Sequence, residues 1–311
     1  MPCLLRAKCG HRRLAYHSRL GSNRHVQLSC KEPLLVTAPA AIRAYYAQLI
    51  SGKAGTDDVK LIEALGIVER ERFVGTGPWK VNCFAGGYVE TPSNHPSFIY
   101  QDVVVAIDAD RGINNGKPHL HARCLAALQV RQGETAIHVG TGTGYYTAIL
   151  AHLVGASGVV HAYEIEQDLA MKAQANLAPW PWISVKAQSA AEGSIPACDI
   201  IYVSAGATRP LNSWLDALRP GGRLLFPLTP RVGLGGMLLV TRSNGTTFAA
   251  RFLHPAAFIP CMGARDDNEA DKLGRAFERG SLRDVKSLRR GIPPDASSWF
   301  SGADWWLSSD P

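Results

Sequence analysis

The sequence lacks a C-x-x-C pair and any apolar run long enough to cross a membrane. Its seven cysteines are an odd number, scattered from Cys3 to Cys261, and support neither a disulfide framework nor a zinc site. We therefore expect reduced thiols, a cytoplasmic protein and no bound metal. Because no stretch of roughly 18 or more apolar residues occurs, we also expect no membrane partner.

Acidic residues are absent from the first 31 positions. This stretch holds seven of the 33 Lys and Arg residues, and the 26 that remain balance the 26 acidic residues of the chain. A neutral body argues against nucleic acid as a partner, which requires clustered Lys and Arg. Residues 1–38 show no hydrophobic periodicity, and we predict a basic disordered tail there.

From residue 39 onward the pattern is that of a globular domain. Residues 40–50 and 57–68 are predicted helices, and residues 75–100, rich in Gly, Pro and Asn, are a predicted loop. Helices and strands then alternate, with helices predicted at 118–130, 144–154, 167–177 and 210–218 and strands at 135–140, 158–164, 198–205 and 221–228. Such repeats are typical of a doubly wound, mostly parallel α/β sheet.

The chain continues with a hairpin and a C-terminal extension. Residues 237–243 and 247–253 are apolar runs joined by Asn244-Gly245, a strong hairpin signal that predicts antiparallel edge strands. Domain boundaries are therefore expected at 39–262 for the main domain and 263–311 for a charged extension. We expect the tryptophans of the extension to pack back on the main domain: Trp299, Trp305 and Trp306.

The segment from Ile137 to Glu164 carries the clearest ligand-binding pattern. A predicted strand runs into a glycine loop that opens a helix and consists of Gly140, Thr141, Gly142, Thr143 and Gly144. Glycines let the backbone approach a ligand, and a helix N-terminus offers free N–H groups. The next strand ends at Glu164, 20 residues after the last glycine, where a carboxylate can accept the hydroxyls of a ribose.

The spacing of the loop separates two candidate cofactors. Dinucleotide sites use G-x-G-x-x-G to hold a pyrophosphate, but Tyr145 occupies the third-glycine position here. S-adenosylmethionine (SAM) has no phosphate and needs only a close glycine turn, so the pattern favours SAM. Position 138, where SAM enzymes often carry an acid, is His138, which we interpret as a core residue.

Over residues 40–262 the chain resembles the protein-L-isoaspartate O-methyltransferases. The most specific part is the run Pro118-His119-Leu120-His121-Ala122. The glycine loop is similar to the family's SAM motif, and the Leu-x-Pro-Gly-Gly turn before residue 223 is shared with many methyltransferases. The stretches that carry the resemblance are 67–74, 112–128, 137–155, 198–210 and 218–228.

The resemblance implies a seven-stranded, Rossmann-like SAM domain with N-terminal helices. It also implies transfer of the SAM methyl group to the carboxylate of an L-isoaspartyl or D-aspartyl residue, as a repair step, so the expected partner is a damaged protein or peptide. A carboxylate is already ionised near pH 7, so no general base is needed. Positioning alone can supply about 7–11 kcal/mol. A monomer is expected.

The resemblance also assigns site residues. The family carries Thr-Ile-Ser-Ala before Pro-His, and its Ser hydroxyl is the active-site group; alignment from Pro118 places Asn114, Asn115 and Gly116 there, with Gly116 at the Ser position. We predict these three as the catalytic loop, since either Asn amide can donate hydrogen bonds to a carboxylate. We also predict His119 and Gln188 as cofactor-binding residues. Gln188 stands at the position where the family has the acid that faces adenine.

Two other functions stay open. The missing hydroxyl at Gly116 and the C-terminal extension favour a SAM-dependent methyltransferase with a different acceptor, either a peptide aspartate or a small molecule. The missing hydroxyl together with His138 favours a SAM-binding protein without catalysis. His121, two positions after His119, is interpreted as structural.

Overall fold

The helices begin and end close to the predicted positions. The computed structural model describes residues 39–83, 87–243 and 247–311, so the predicted tail and the Asn244-Gly245 turn lie outside the described residues. The helices are α1 (Pro39–Ala54), α2 (Val59–Ile67), α3 (Glu71–Val74), α4 (Pro118–Leu128), α5 (Tyr145–Val154), α6 (Gln167–Leu177), α7 (Asn212–Ala217) and α8 (Asp267–Arg279). None of these helices is long and apolar enough to cross a membrane.

Fourteen strands are formed by the described residues, most of them in one sheet. They are β1 (Lys80–Asn82), β2 (Tyr88–Glu90), β3 (Ala106–Asp108), β4 (Ile113–Asn114), β5 (Thr135–Val139), β6 (Val159–Glu164), β7 (Ile183–Ala187), β8 (Cys198–Val203), β9 (Leu218–Leu228), β10 (Gly235–Arg242), β11 (Thr247–Ala256), β12 (Ser287–Arg290), β13 (Ser298–Ser301) and β14 (Trp305–Ser308).

The main sheet has ten strands in the order β13-β14-β12-β11-β10-β9-β8-β5-β6-β7. Neighbouring strands from β7 to β9 are parallel, while β10 and β11 form the predicted antiparallel hairpin. The prediction of a doubly wound α/β sheet is confirmed. The chain order reverses between β5 and β8, and crevices at such a switch point, at the carboxyl ends of the strands, are where α/β sheets bind ligands.

The two faces of this sheet are covered by different helices. One buried cluster includes side chains of α1, α2, α4 and α5, and the other includes side chains of α7 and α8. Helices α4 and α5 on one face and α7 and α8 on the other contact strands of the sheet, as a doubly wound fold requires, while α1 and α2 pack on α4 and α5. Asp58 begins α2 by accepting hydrogen bonds from the backbone N–H groups of Lys60 and Leu61, at 3.0 and 3.2 Å.

The C-terminal extension adds three strands to the seven that the resemblance implies. Strand β12 pairs with β11, and β14 and β13 follow it, so the sheet continues without interruption into residues 287–308. Trp305 lies in the buried cluster that also contains Leu224 and Leu238, which confirms that the extension packs on the main domain. The ring of Trp299 lies 5.6 Å from that of Phe252 in β11, whereas Trp306 is buried against Arg289 of the extension itself. The predicted loop at 75–100 also has some regular structure, an antiparallel ribbon of β1 and β2 and a short 3-10 turn.

Replacing Trp305 tests whether the extension folds together with the domain. Its side chain is 3% exposed and lies in the cluster shared with the main domain, so Trp305→Ala is expected to lower the free energy of unfolding by about 3–5 kcal/mol. Urea denaturation followed by circular dichroism measures this. Val232→Ala is the control, because Val232 is 83% exposed and its truncation should change stability by less than about 0.5 kcal/mol. Equal stability of the two variants would contradict a common cooperative unit.

Candidate active site

The guanidinium group of Arg70 holds the segment that leads to the predicted catalytic loop. Arg70 precedes α3 and is fully buried. It donates hydrogen bonds to the carbonyl oxygens of Ile99, Gln101 (3.1 Å) and Val103 (2.7 Å). A longer contact of 3.4 Å reaches Oδ1 of Asn115. A residue of the stretch 67–74 thus fixes the backbone of residues 99–103 and contacts the catalytic loop.

The predicted catalytic loop lies at the end of a small hairpin. Strand β3 pairs with β4, and the side chains of Asn114 and Asn115 then shape the turn. Oδ1 of Asn114 accepts the N–H of Gly116 at 2.9 Å, and Oδ1 of Asn115 accepts the N–H of Val105 at 2.9 Å. The amide nitrogen of Asn115 is buried and has no partner among the described residues. The amide nitrogen of Asn114 makes only a 3.4 Å contact with the carbonyl oxygen of Gly112, so both amide groups of the loop have donor capacity left.

The side chain of His121 fills the space that a side chain at position 116 would need. Gly116 has φ +69°, and a Cβ added there would lie 2.1 Å from Nε2 of His121. The His121 ring is buried and stacks on Tyr146, with ring centroids 3.7 Å apart, and its Nδ1 lies 2.6 Å from the hydroxyl of Tyr202. Burial holds the pKa of His121 well below its usual value, so this imidazole is neutral near pH 7. This buried, stacked and hydrogen-bonded ring agrees with the interpretation of His121 as structural, although the sequence did not indicate its position beside Gly116.

His119 is turned toward a different partner. Asp102 accepts its backbone N–H at 3.1 Å and lies 2.8 Å from its Nδ1, and Lys53 contacts the same carboxylate at 3.3 Å. The structure thus brings His121, and not His119, against Gly116. In the sequence, the one indication of this arrangement is the glycine at position 116, because a missing Cβ leaves room for a neighbouring side chain.

The glycine loop has the backbone that its sequence requires. Gly140, Gly142 and Gly144 all have positive φ, at +75°, +57° and +104°. A Cβ on Gly144 would lie 2.9 Å from the side chain of Leu177, whereas a Cβ on Gly142 would meet nothing within 4 Å. The loop is therefore packed at the helix end and open above Gly142, where a ligand can approach.

The two threonines of the loop anchor it to its surroundings. Oγ1 of Thr143 donates to the carbonyl oxygen of Phe73 at 2.6 Å, which ties the loop to α3. Oγ1 of Thr141 donates to the carbonyl oxygen of His138 at 3.4 Å. The loop is thus preorganised by the protein itself, which lowers the entropic cost of ordering it around a ligand.

Glu164 stands at the carboxyl end of β6, beside the glycine loop. Its carboxylate accepts the N–H groups of Gly142 at 2.6 Å and Glu166 at 3.0 Å. Burial raises the pKa of Glu164, while these two N–H groups act in the opposite direction. Each oxygen has a second lone pair, so the oriented carboxylate can still accept ribose hydroxyls. Gln188 is exposed directly after Ala187, the register partner of Glu164, and so lies at the same edge.

His138 is a core residue, as its sequence context suggested. Its ring nitrogens lie 2.8 Å from Oγ1 of Thr147 and 2.9 Å from Oγ of Ser204. Burial lowers its pKa to about 3, so the ring is neutral. The position of the usual acid is thus occupied by an uncharged residue that links β5, α5 and the end of β8.

The contact between Gly116 and His121 predicts that alanine at position 116 lowers the stability of the protein more than alanine at position 112 does. Gly112 has φ +68° but a Cβ there would meet nothing within 4 Å, so Gly112→Ala introduces backbone strain alone. Gly116→Ala adds a collision with His121 and is expected to cost about 1–3 kcal/mol more. Thermal and urea unfolding of the two variants measure this. The same loss in both would contradict the placement of His121.

The fold and the cofactor-binding unit define a SAM-dependent methyltransferase. The model of the family "Protein-L-isoaspartate(D-aspartate) O-methyltransferase (PCMT)" matches residues 48–266. The chain belongs to the protein-L-isoaspartate (D-aspartate) O-methyltransferase family. This membership confirms the resemblance and the predicted cofactor, SAM.

Individual relatives agree with the family model. The chain is 30% identical over 230 residues to a protein-L-isoaspartate O-methyltransferase of Methylorubrum populi, covering 73% of this chain and 97% of the relative. It is 28% identical over 211 residues to that of Brucella anthropi, covering 67% and 88%. A Plasmodium falciparum structure in complex with S-adenosyl-L-homocysteine shares the fold, with a TM-score of 0.58, 19% identity and coverage of 71% and 98%.

Proposed function

We propose that this protein transfers the methyl group of SAM to the carboxylate of L-isoaspartyl or D-aspartyl residues in damaged proteins. One observation carries the proposal: the chain is a member of this family and has both the Gly140–Gly144 loop with Glu164 and the loop at Asn114–Gly116. The buried free thiols of Cys124, Cys198 and Cys261 support a reducing, cytoplasmic location. The formally neutral body of the chain supports an enzyme that acts on protein and not on nucleic acid.

The groups around the loops suit an acceptor that is already ionised. SAM, when bound, supplies an electrophilic methyl group. A carboxylate oxygen bonds to this carbon as the carbon–sulfur bond breaks, so no proton has to be removed. The imidazoles of His121 and His138 are kept neutral by burial and need take no part in proton transfer. The free amide N–H of Asn115 would hydrogen-bond the acceptor, and the Glu164 carboxylate would hold the ribose.

A second candidate function keeps SAM and changes the acceptor. It is favoured by one observation, the glycine at position 116, where the imidazole of His121 fills the space that a side chain hydroxyl would need. An ordinary aspartate in a peptide or a small carboxylic acid would then be the acceptor. Binding of SAM without any transfer is the third candidate.

Labelled SAM and matched peptides separate these functions. Isoaspartyl peptides are expected to gain base-labile methyl esters, while peptides of the same sequence with ordinary aspartate gain none. Label on the aspartyl peptide, or only on another component of a cell extract, would favour the second candidate. Calorimetric SAM binding with no transfer to peptides or extract would favour the third and overturn the proposal.

The role of Glu164 predicts a loss of cofactor affinity. Glu164→Ala removes a charged acceptor for the ribose and the partner of the Gly142 N–H, so SAM is expected to bind about 10- to 100-fold more weakly. Isothermal titration calorimetry measures the change. Glu192→Ala serves as the control because Glu192 is an exposed acid of another loop. Unchanged affinity in Glu164→Ala would remove this residue from the cofactor site.

A further inference from the structure

Arg111 makes ion pairs to two different parts of the chain. It lies between β3 and β4, and its Nε donates to Oδ2 of Asp108, in the same hairpin, at 2.8 Å. Its other two nitrogens reach beyond the hairpin. Nη1 donates to Oε2 of Glu166 at 2.9 Å, and Nη2 donates to Oδ2 of Asp168 at 2.8 Å. One guanidinium group therefore joins the hairpin to the loop and first turn after β6.

The two carboxylates that Arg111 reaches belong to the cofactor side of the crevice. Glu166 donates its backbone N–H to Glu164, and Asp168 lies in the first turn of α6. The other end of the same hairpin leads to Gly116, which lies against His121 and, through the stacked rings, against the first turn of α5. The hairpin thus has contacts on both sides of the glycine loop.

The geometry of these pairs distinguishes them from scattered surface charges. An isolated exposed ion pair contributes little, but Arg111 contacts three carboxylates at once and approaches Asp168 with two nitrogens. The hydrogen bonds from Arg111 hold the pKa values of Asp108 and Asp168 below their usual range. The side chain of Arg111 is 38% exposed, so salt can reach and weaken the pairs.

We propose that Arg111 is a positioning residue that clamps the β3–β4 hairpin across bound SAM and so holds the acceptor loop against the cofactor loop. Methyl transfer requires that the methyl donor and the acceptor are held in line. If the β3–β4 hairpin could move relative to the glycine loop, that alignment would be lost. Because the pairs are exposed, the clamp can also open for product release. The inference rests on the SAM-binding half of the proposed function and not on the identity of the acceptor.

The variant Arg111→Ala tests this in the full chain, with Arg231→Ala as the matched control. Arg231 is also exposed, at 47%, and also bridges two carboxylates, Asp267 at 3.2 Å and Asp271 at 2.8 Å, but on α8. SAM affinity by calorimetry and the dissociation rate of S-adenosyl-L-homocysteine by stopped flow are measured at about 50 mM and about 500 mM NaCl, where screening differs strongly.

Arg111→Ala is expected to bind SAM about 2- to 30-fold more weakly, the range that two exposed ion pairs support, and to release S-adenosyl-L-homocysteine correspondingly faster. Its affinity should lose most of the salt dependence seen in the unchanged chain and in Arg231→Ala. Arg111→Lys, which keeps the charge without the two-nitrogen contact, should be intermediate. If Arg111→Ala does not fold, Asp168→Asn and the salt dependence of the unchanged chain give the same comparison.

The clamp would be overturned if Arg111→Ala had the same SAM affinity, the same dissociation rate and the same salt dependence as the unchanged chain. The readouts need no acceptor, so they are independent of the peptide assay. A chain that fails to methylate isoaspartyl peptides, yet retains SAM in an Arg111-dependent way, would overturn the proposed acceptor and leave the clamp standing.

Discussion

The hydrogen bonds of the buried Arg70 guanidinium group are the interaction on which the segment before β3, and with it the predicted catalytic loop, depends. A buried cation is costly unless it is paired, and here three carbonyl oxygens of residues 99–103 accept hydrogen bonds from Nη1 and Nη2, while Nε has no partner among the described residues. The rings of Tyr46 and Tyr145 lie 5.8 and 5.9 Å from its central carbon and add cation–π contacts. Since these partners come from α1, α5 and the segment before β3, Arg70 links Asn115 and the residues before β3 to the helices of the core.

The two sides of the crevice differ in charge. The proposed cofactor side has an oriented carboxylate at Glu164, whereas the proposed acceptor side has the neutral imidazole of His121 and an amide N–H. An uncharged, donor-bearing surface favours an anion over a neutral nucleophile that would need a base. The chemistry expected of the family is thus compatible with a loop that has lost its hydroxyl, because carboxylate methylation depends on alignment more than on proton transfer.

Much of the fold could be predicted because its signals are local. Strands β5, β6 and β8 and helix α5 are short apolar runs that alternate along the chain, and the glycine loop and Glu164 lie within one strand–helix–strand unit. Strands β12, β13 and β14 could not be predicted, because they are four residues each and rich in Ser, Arg and Trp. Their conformation is stabilised by pairing with β11 and with each other, and such partners are not visible in a short window.

The sequence by itself determined the doubly wound α/β fold and the SAM-dependent methyltransferase family, since the strand–helix units and the motifs depend on neighbours along the chain. Only the tertiary structure decided that His121 faces Gly116, that His119 faces Asp102 and that Arg111 reaches Glu166, 55 residues away. These contacts join elements that are distant in sequence. Spacing gives residues a face on a helix or strand, but which faces meet is set by how the sheet, helices and hairpin pack together.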